Sequence, residues 1–286
     1  MEHSPMVYKS NALVEAAYRL SVQEQRIILA CIGQVRRDEE VTDEVLYSVT
    51  AAELAELSGT ALEASYSELK AAALRLKRRE VRLTQEPNGK GKKPSIMITG
   101  WVQTIFYIEG EGRVELRFTK DMLPYLTGLQ REFTRYALSD VAKMTSAHGI
   151  RLYELLAQWP EGHRVVPLDD LRRWLQLEDR YPSIKDFKRW VLDPAVQQIN
   201  EHSPLSLTWS QRKTGRKVTH LVFDYAPKKK PAKAVGKAPG GAQAKRKSGK
   251  VSDADIARLA RPGESWEAAR TRLNQIPLEL PEEATA

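Results

Sequence analysis

The sequence has almost no cysteine and no long apolar run, and each absence excludes a class of protein. Cys31 is the single cysteine among 286 residues, so one chain can form neither a disulfide framework nor a cysteine-rich zinc site. No stretch of 18 apolar residues occurs, which argues against a membrane-spanning helix. The start of the chain has no basic region followed by an apolar run, so no signal peptide is expected. A cytoplasmic protein without a membrane partner is therefore expected.

Signatures of phosphate-binding and metal-dependent enzymes are also missing. The segment 88–92, Asn-Gly-Lys-Gly-Lys, lacks the spacing and the Ser or Thr of a Walker loop. The five histidines show no paired metal-binding spacing, which a rolling-circle nicking enzyme with a tyrosine nucleophile would need. These are His3, His148, His163, His202 and His220. We therefore expect no catalytic residue, no metal and no cofactor.

The positive charge is concentrated near the end of the chain. The chain carries a net +8, of which +9 lies in residues 228–250 and −3 in residues 251–286, so that residues 1–227 carry +2. The segment 228–250 is rich in Lys, Ala, Gly and Pro and cannot bury enough apolar surface to order itself. Nucleic-acid binding by the folded part would therefore depend on local clusters of cations.

The order helix, helix, helix, β-hairpin occurs twice before Pro227, and it is the order of a winged helix. In the first copy the patterns predict helices at 13–35, 51–57 and 61–79, and strands at 81–84, 96–101, 104–108 and 114–118. In the second copy they predict helices at 146–159, 168–175 and 183–200, and strands at 205–210 and 218–225.

We therefore expect an α+β fold of two tandem winged-helix domains followed by a flexible basic tail. The expected limits are 10–130 for a first domain that dimerises and makes secondary DNA contacts, and 131–227 for a second domain that is the principal DNA reader. A disordered basic linker at 228–250 and a short helical or disordered tail at 251–286 complete the chain.

The third helix of the second copy has the two faces that a DNA-reading helix needs. At helical spacing, Ile184, Phe187 and Val191 form a core stripe, and polar side chains lie opposite. Arginine can bond guanine in a bidentate manner, and aspartate can accept from cytosine. The candidate DNA-binding residues here are Ser183, Lys185, Asp186, Lys188, Arg189 and Trp190. An ordinary amphipathic surface helix is the alternative.

The hairpin that follows strengthens this interpretation, because four cations surround its Thr214-Gly215 turn. A basic wing lies against the phosphate backbone and fixes the position of the reading helix. The candidate contacts are Arg212, Lys213, Arg216 and Lys217.

The first copy has a weaker basic surface, for which a solvated face is an equal alternative. Its candidate secondary DNA contacts are Lys77, Arg78, Lys90, Lys92 and Lys93. Its last strands alternate apolar and polar residues and could present an edge to a second chain. The candidate dimer interface is Val114, Leu116 and Phe118, so a charge at Leu116 is expected to favour the monomer.

Several motifs together resemble the iteron-binding plasmid replication initiators of the RepE and RepA type. They are Leu20-Ser21…Glu24-Gln25-Arg26, Phe133-Thr-Arg-Tyr-Ala-Leu138, Ile150-Arg-Leu-Tyr-Glu-Leu-Leu156, Asp186-Phe-Lys-Arg189, Ile199-Asn200 and Lys213-Thr-Gly-Arg216. The resemblance covers about residues 10–227.

The resemblance implies that each winged helix contacts one end of a repeated origin site. It implies base contacts at Ser183, Asp186, Arg189 and Trp190, although relatives often have Arg at the first and last of these positions. It further implies double-stranded origin DNA (iterons and an operator) as partner, together with the host replication initiator, helicase and primase. The resemblance implies that monomers open the origin at an adjacent A·T-rich segment, and that dimers repress the protein's own gene.

Two alternatives that bind DNA stay open. A winged-helix transcriptional regulator without initiator activity needs the same helix and wing. A protein that coats DNA without sequence preference would fit the Lys-rich tail, and it predicts equal affinity for any duplex.

Overall fold

The computed structural model describes residues 4–36, 38–89 and 92–228. The predicted linker beyond Lys228 and the tail at 251–286 lie outside the described residues. In the described part, no helix is both long and apolar enough to cross a membrane.

The first half of the described chain has the elements β1 (Met6–Ser10), α1 (Asn11–Val14), α2 (Val22–Ile32), β2 (Tyr47–Thr50), α3 (Ala51–Ser58), α4 (Leu62–Leu76), β3 (Glu80–Gln85), β4 (Lys92–Gly100), β5 (Val102–Ile108) and β6 (Arg113–Phe118). Strand order β2-β6-β5 forms a three-stranded antiparallel sheet, and β3 pairs with β4 as a separate hairpin. Helices α2, α3 and α4 together with this sheet make the first winged helix.

The second half has the elements β7 (Phe133–Ala137), α5 (Ser139–Ala142), α6 (Ala147–Ala157), β8 (His163–Pro167), α7 (Leu168–Trp174), α8 (Ile184–Phe187), α9 (Asp193–His202), β9 (Leu205–Thr214) and β10 (Lys217–Pro227). Its sheet has the order β8-β10-β9, which repeats the topology of the first sheet. Both predicted winged-helix domains are therefore present.

Local capping explains why α3 begins and ends as predicted. The Thr50 hydroxyl accepts the Glu53 amide hydrogen, and the Glu53 carboxylate accepts the Thr50 amide hydrogen. This reciprocal capping satisfies two amides that have no partner within the helix. Gly59 ends the helix in the left-handed region at φ 69°, which glycine adopts without strain.

The prediction of one helix over 13–35 is wrong, because the chain forms two helices there. Helix α1 ends at Val14, and α2 begins after Ser21, whose hydroxyl caps the Glu24 amide. The sequence patterns did not predict four of the strands, β1, β2, β7 and β8. They are four or five residues long, and each pairs with a strand that is distant in the sequence.

The expected exposed edge at 114–118 is also wrong. Strand β6 is the middle strand of its sheet, between β2 and β5. The side chains of Val114, Leu116 and Phe118 are fully buried in the core. They therefore cannot contact a second chain while this sheet is intact, and the edge strands of the sheet are β2 and β5.

A buried polar network ties the start of the chain to α6. The ammonium of Lys9 lies 2.5 Å from Glu154 Oε1, and Arg151 Nη1 lies 2.8 Å from Glu154 Oε2. The hydroxyls of Tyr18 and Tyr136 also donate to Glu154. Burial alone would raise the pKa of Glu154, but attraction to Lys9 and Arg151 outweighs it and lowers the pKa to about 2.

Strand β1, near the start of the chain, pairs antiparallel with β7 at Phe133–Ala137. The expected limits assign residues 131–137 to the second domain, although β1 lies before the first domain's helices. Helix α6, in turn, packs against α9. The limits 10–130 and 131–227 stay a prediction.

Candidate nucleic-acid interface

The segment that begins with α8 presents polar side chains on one face and packs its other face on the domain. Ser183 starts the helix, and its hydroxyl accepts the Lys185 amide hydrogen. Phe187 and Val191 are buried, whereas Lys185 and Arg189 are exposed. The two predicted faces of the helix are thus present, and Asp186 is exposed beside the two cations.

Two aromatic rings lie next to the cations of this face. The Arg189 guanidinium carbon is 4.8 Å from the ring centroid of Trp190, which is 56% exposed. The Lys188 ammonium is 5.5 Å from the ring centroid of Trp209 on β9. A cation–π contact contributes about 0.5–1 kcal/mol at an exposed site. It also restricts the cationic side chain before any ligand binds, which lowers the entropic cost of binding.

The helix changes its geometry in the middle of this surface. Residues Lys188–Leu192 form a π-helical turn between α8 and α9. Pro194 lies just beyond, has no amide hydrogen, and cannot bond the carbonyl one turn earlier. The π-helical turn lies just before Pro194 and coincides with the candidate residues Lys188, Arg189 and Trp190.

The wing is the β9–β10 hairpin with its turn at Thr214–Lys217. Gly215 has φ 62°, so the turn needs a residue there that tolerates the left-handed region. The space around Gly215 is open, so no close contact requires a glycine. Leu207, Val218 and Phe223 anchor the hairpin in the core. The four predicted wing cations, Arg212, Lys213, Arg216 and Lys217, are all exposed.

Sequence reasoning missed Arg172, which holds the loop before the reading helix. Its guanidinium is mostly buried and donates to the carbonyls of Leu177 (3.3 Å), Arg180 (2.8 Å) and Tyr181 (2.7 Å). It also lies 4.7 Å from the ring centroid of Phe187. Arg172 is therefore a positioning residue.

The first winged helix has a more neutral surface, because much of its basic charge is already paired. The buried carboxylate of Glu24 binds both Arg75 and Arg79 of the α4 region, at 3.2 and 3.0 Å. Lys70 of α4 pairs with Glu109 in the β5–β6 turn. That turn is the wing by topology, and it carries Glu109 and Glu111 rather than cations.

Lys77 and Arg78 are exposed at the end of α4, and Lys77 lies 3.4 Å from the Val102 carbonyl oxygen. Lys90 lies outside the described residues. Lys92 and Lys93 start β4, and their side chains lie outside the described part. Over the described residues, no group of three or more metal-ligating side chains comes together.

Two winged helices in tandem, with exposed cations on the reading helix and wing of the second, define a double winged-helix protein of the DNA-binding class. The family model described as "Initiator Replication protein, WH1" matches residues 6–157, and the one described as "Initiator Rep protein, WH2" matches residues 167–225. The chain belongs to this family of replication initiators. The resemblance drawn from the sequence motifs is thereby confirmed.

Curated relatives from Escherichia coli agree with this assignment. The chain is 28% identical over 226 residues to a replication initiation protein, covering 76% of this chain and 68% of the relative. It is 22% identical over 245 residues to the PI protein, covering 75% of this chain and 80% of the relative.

Among solved structures, the Pi initiator protein in complex with iteron DNA is similar, with a TM-score of 0.66 and 19% identity. The match covers 80% of this chain and 100% of that chain, and it shows the shared fold.

Proposed function

We propose that the protein binds repeated duplex sites at a plasmid origin and thereby starts replication, without being an enzyme. The observation that carries this proposal is the second winged helix, in which the reading helix and the wing present cations on consecutive elements. Membership of the initiator family supports the origin as the target. The similar Pi initiator protein forms a complex with iteron DNA.

In this proposal, the reading helix enters the major groove with its exposed face. Arg189 and Lys185 donate to base edges, Asp186 accepts from a base or orients Arg189, and Ser183 and Lys188 flank them. Trp190 adds an apolar surface beside the Arg189 guanidinium. The wing cations lie along the phosphates and fix the protein's position without reading sequence.

The first winged helix supplies a weaker second contact. Lys77 and Arg78 support this role because they are exposed cations at the end of α4. Lys90, Lys92 and Lys93 remain part of the proposal. Because Glu24 and Glu109 already pair with three cations of this region, we assign the larger share of affinity to the second winged helix.

The dimer that represses the protein's own gene is proposed to form through β5 instead of β6. Within the described part, β5 pairs with β6 along one side, and its other side is an edge. Phe106 on this strand is 46% exposed, and Ile96 and Ile98 on β4 are also exposed. An edge strand with apolar side chains is a template for pairing with another chain. Recruitment of the host initiator, helicase and primase is proposed from family membership.

Footprinting of the purified protein on its own upstream DNA tests the proposed target. Protection of several direct repeats, together with replication of a plasmid that carries them when the protein is supplied in trans, is the expected result. Protection of one inverted operator without origin activity would instead identify a transcriptional regulator. Uniform protection of any duplex would identify a DNA-coating protein.

Sedimentation of Phe106→Lys tests the dimer edge, because a charge there is expected to shift the protein to the monomer. Leu74→Lys is the matched control, since Leu74 is 58% exposed but lies on α4. Equal effects of the two substitutions would refute pairing through β5.

A further inference from the structure

A cleft lies where four separate segments of the folded part meet. It is lined by residues of the segment before α2, the end of α4, the start of α6 and the end of α7, and its volume is about 390 Å³. The lining residues are Tyr18, Arg19, Leu20, Ser21, Arg79, Ala147, His148, Arg151 and Leu175. This volume falls within the range that holds a small ligand.

The lining contains three arginines and a histidine, and it contains no carboxylate. Arg180 lies close enough to add its charge: burial, together with repulsion from Arg180 and Arg79, lowers the pKa of Arg19. Burial, followed by repulsion from Arg19 and Arg180, lowers the pKa of His148 to about 4. Arg79 and Arg151 are already paired with Glu24 and Glu154. Arg19 and Arg180 therefore carry the repulsion that an anion between them would relieve.

Two helices of 11 residues each add to this positive potential, because both begin at the cleft. Ser21 caps α2, and α6 begins at Ala147 with no acidic residue in its first turn. The partial positive charge at a helix N-terminus favours anions. Glu24 already caps α2, whereas the first turn of α6 has no such anion.

Arg151, which lines the cleft, has a buried donor nitrogen without an acceptor among the described residues. Arg151 is only 2% exposed, and its two terminal nitrogens bond Tyr18, Glu154 and the carbonyls of Val14 and Ala16. Its Nε–H finds no acceptor among the described residues. An orphaned buried donor of a charged group costs about 1–3 kcal/mol or more, and the residue that carries it is part of the cleft wall.

We propose that this cleft is a binding site for a small phosphoryl anion, such as inorganic diphosphate or the diphosphate group of a nucleotide. Arg19 and Arg180 bind the anion from the open side, and Arg151 and the start of α6 bind it from the inner side. A free anion fits better than the DNA backbone because Arg151, the group that lacks an acceptor, is buried at the wall. The loop that carries Arg180 leads directly into the reading helix, so the bound anion would hold that loop.

Isothermal titration of the full chain with sodium diphosphate at constant ionic strength tests the site. We expect saturable binding of one anion per chain. Arg19→Gln and Arg180→Gln should each weaken it by about tenfold or more, the effect of one lost charge-assisted hydrogen bond. Both side chains are exposed, so the variants should fold. Arg131→Gln removes an exposed cation elsewhere and should change nothing.

The imidazole NMR signals of His148 locate the anion, because they should move on titration while those of the exposed His163 stay in place. Absence of saturable binding up to about 10 mM diphosphate would overturn the proposal. Unchanged binding in both arginine variants would do the same. If these variants lose affinity for a random duplex while diphosphate does not bind, the cleft contacts the DNA backbone and the proposal fails. None of these results depends on recognition of an origin repeat.

Discussion

Replacing Arg172 by methionine should loosen the loop that leads into the reading helix. Arg172 donates three hydrogen bonds to the carbonyls of Leu177, Arg180 and Tyr181. Methionine keeps the apolar packing but donates none of these bonds. The loop should then lose its fixed shape, and α8 should start less regularly.

The magnitude follows from the number of bonds and from their burial. A hydrogen bond involving a charged group contributes about 1.5–3 kcal/mol. Two of the three carbonyls are part-buried, so water can replace some of the loss. We therefore expect the free energy of unfolding to fall by about 2–4 kcal/mol. Arg173→Met is the control, because its exposed pair with Asp170 contributes about 0.5 kcal/mol.

Urea unfolding gives the two free energies, and amide hydrogen exchange locates the change. Exchange should accelerate at 177–187 in Arg172→Met and stay unchanged in Arg173→Met. At a temperature where Arg172→Met is folded, it should also bind its DNA repeat more weakly. Equal losses of stability in the two variants, with unchanged exchange at 177–187, would refute the positioning role.

Leu116→Lys places an ammonium in the core and should lower the free energy of unfolding by more than about 3 kcal/mol, as urea titration would measure; a stable monomer would contradict the position of β6. Replacing the four wing cations by alanine should reduce the slope of log K against log salt by roughly one unit for each lost phosphate contact, whereas an unchanged slope would separate the wing from DNA. The pKa of Glu154 is depressed in the folded protein, so its ionised form stabilises the fold fully above its unfolded pKa, and this stabilisation is lost as pH falls toward about 2. The difference in the free energy of unfolding between wild type and Glu154→Gln should therefore shrink over that interval. A constant difference would refute the ionised network.

The sequence could predict the elements whose signals are local. The capping residues Thr50 and Glu53 and the terminal Gly59 indicate α3 correctly, since each acts within one turn of the helix. The two faces of the reading helix follow from spacing in the same way, because Phe187 and Val191 recur at helical intervals.

The elements that failed depend on partners far away in the chain. Strand β1 exists because it pairs with β7, more than 120 residues later. The alternation at 114–118 indicates a strand, but it cannot tell a middle strand from an edge, since that depends on whether β2 pairs with it. Arg172 carried one overlooked signal, because it is a cation at the same helical spacing as the buried Leu168, Leu171 and Leu175.

Binding of Arg189→Ala to the footprinted repeat and to a random duplex of equal length tests whether the second winged helix reads base sequence. If the reading helix contacts base edges, affinity for the repeat should fall by about 1–3 kcal/mol and affinity for the random duplex should hardly change. Lys217→Ala, on the wing, should instead weaken both by similar factors. Equal losses on both duplexes for Arg189→Ala would contradict base reading by this helix and reduce its role to a phosphate contact.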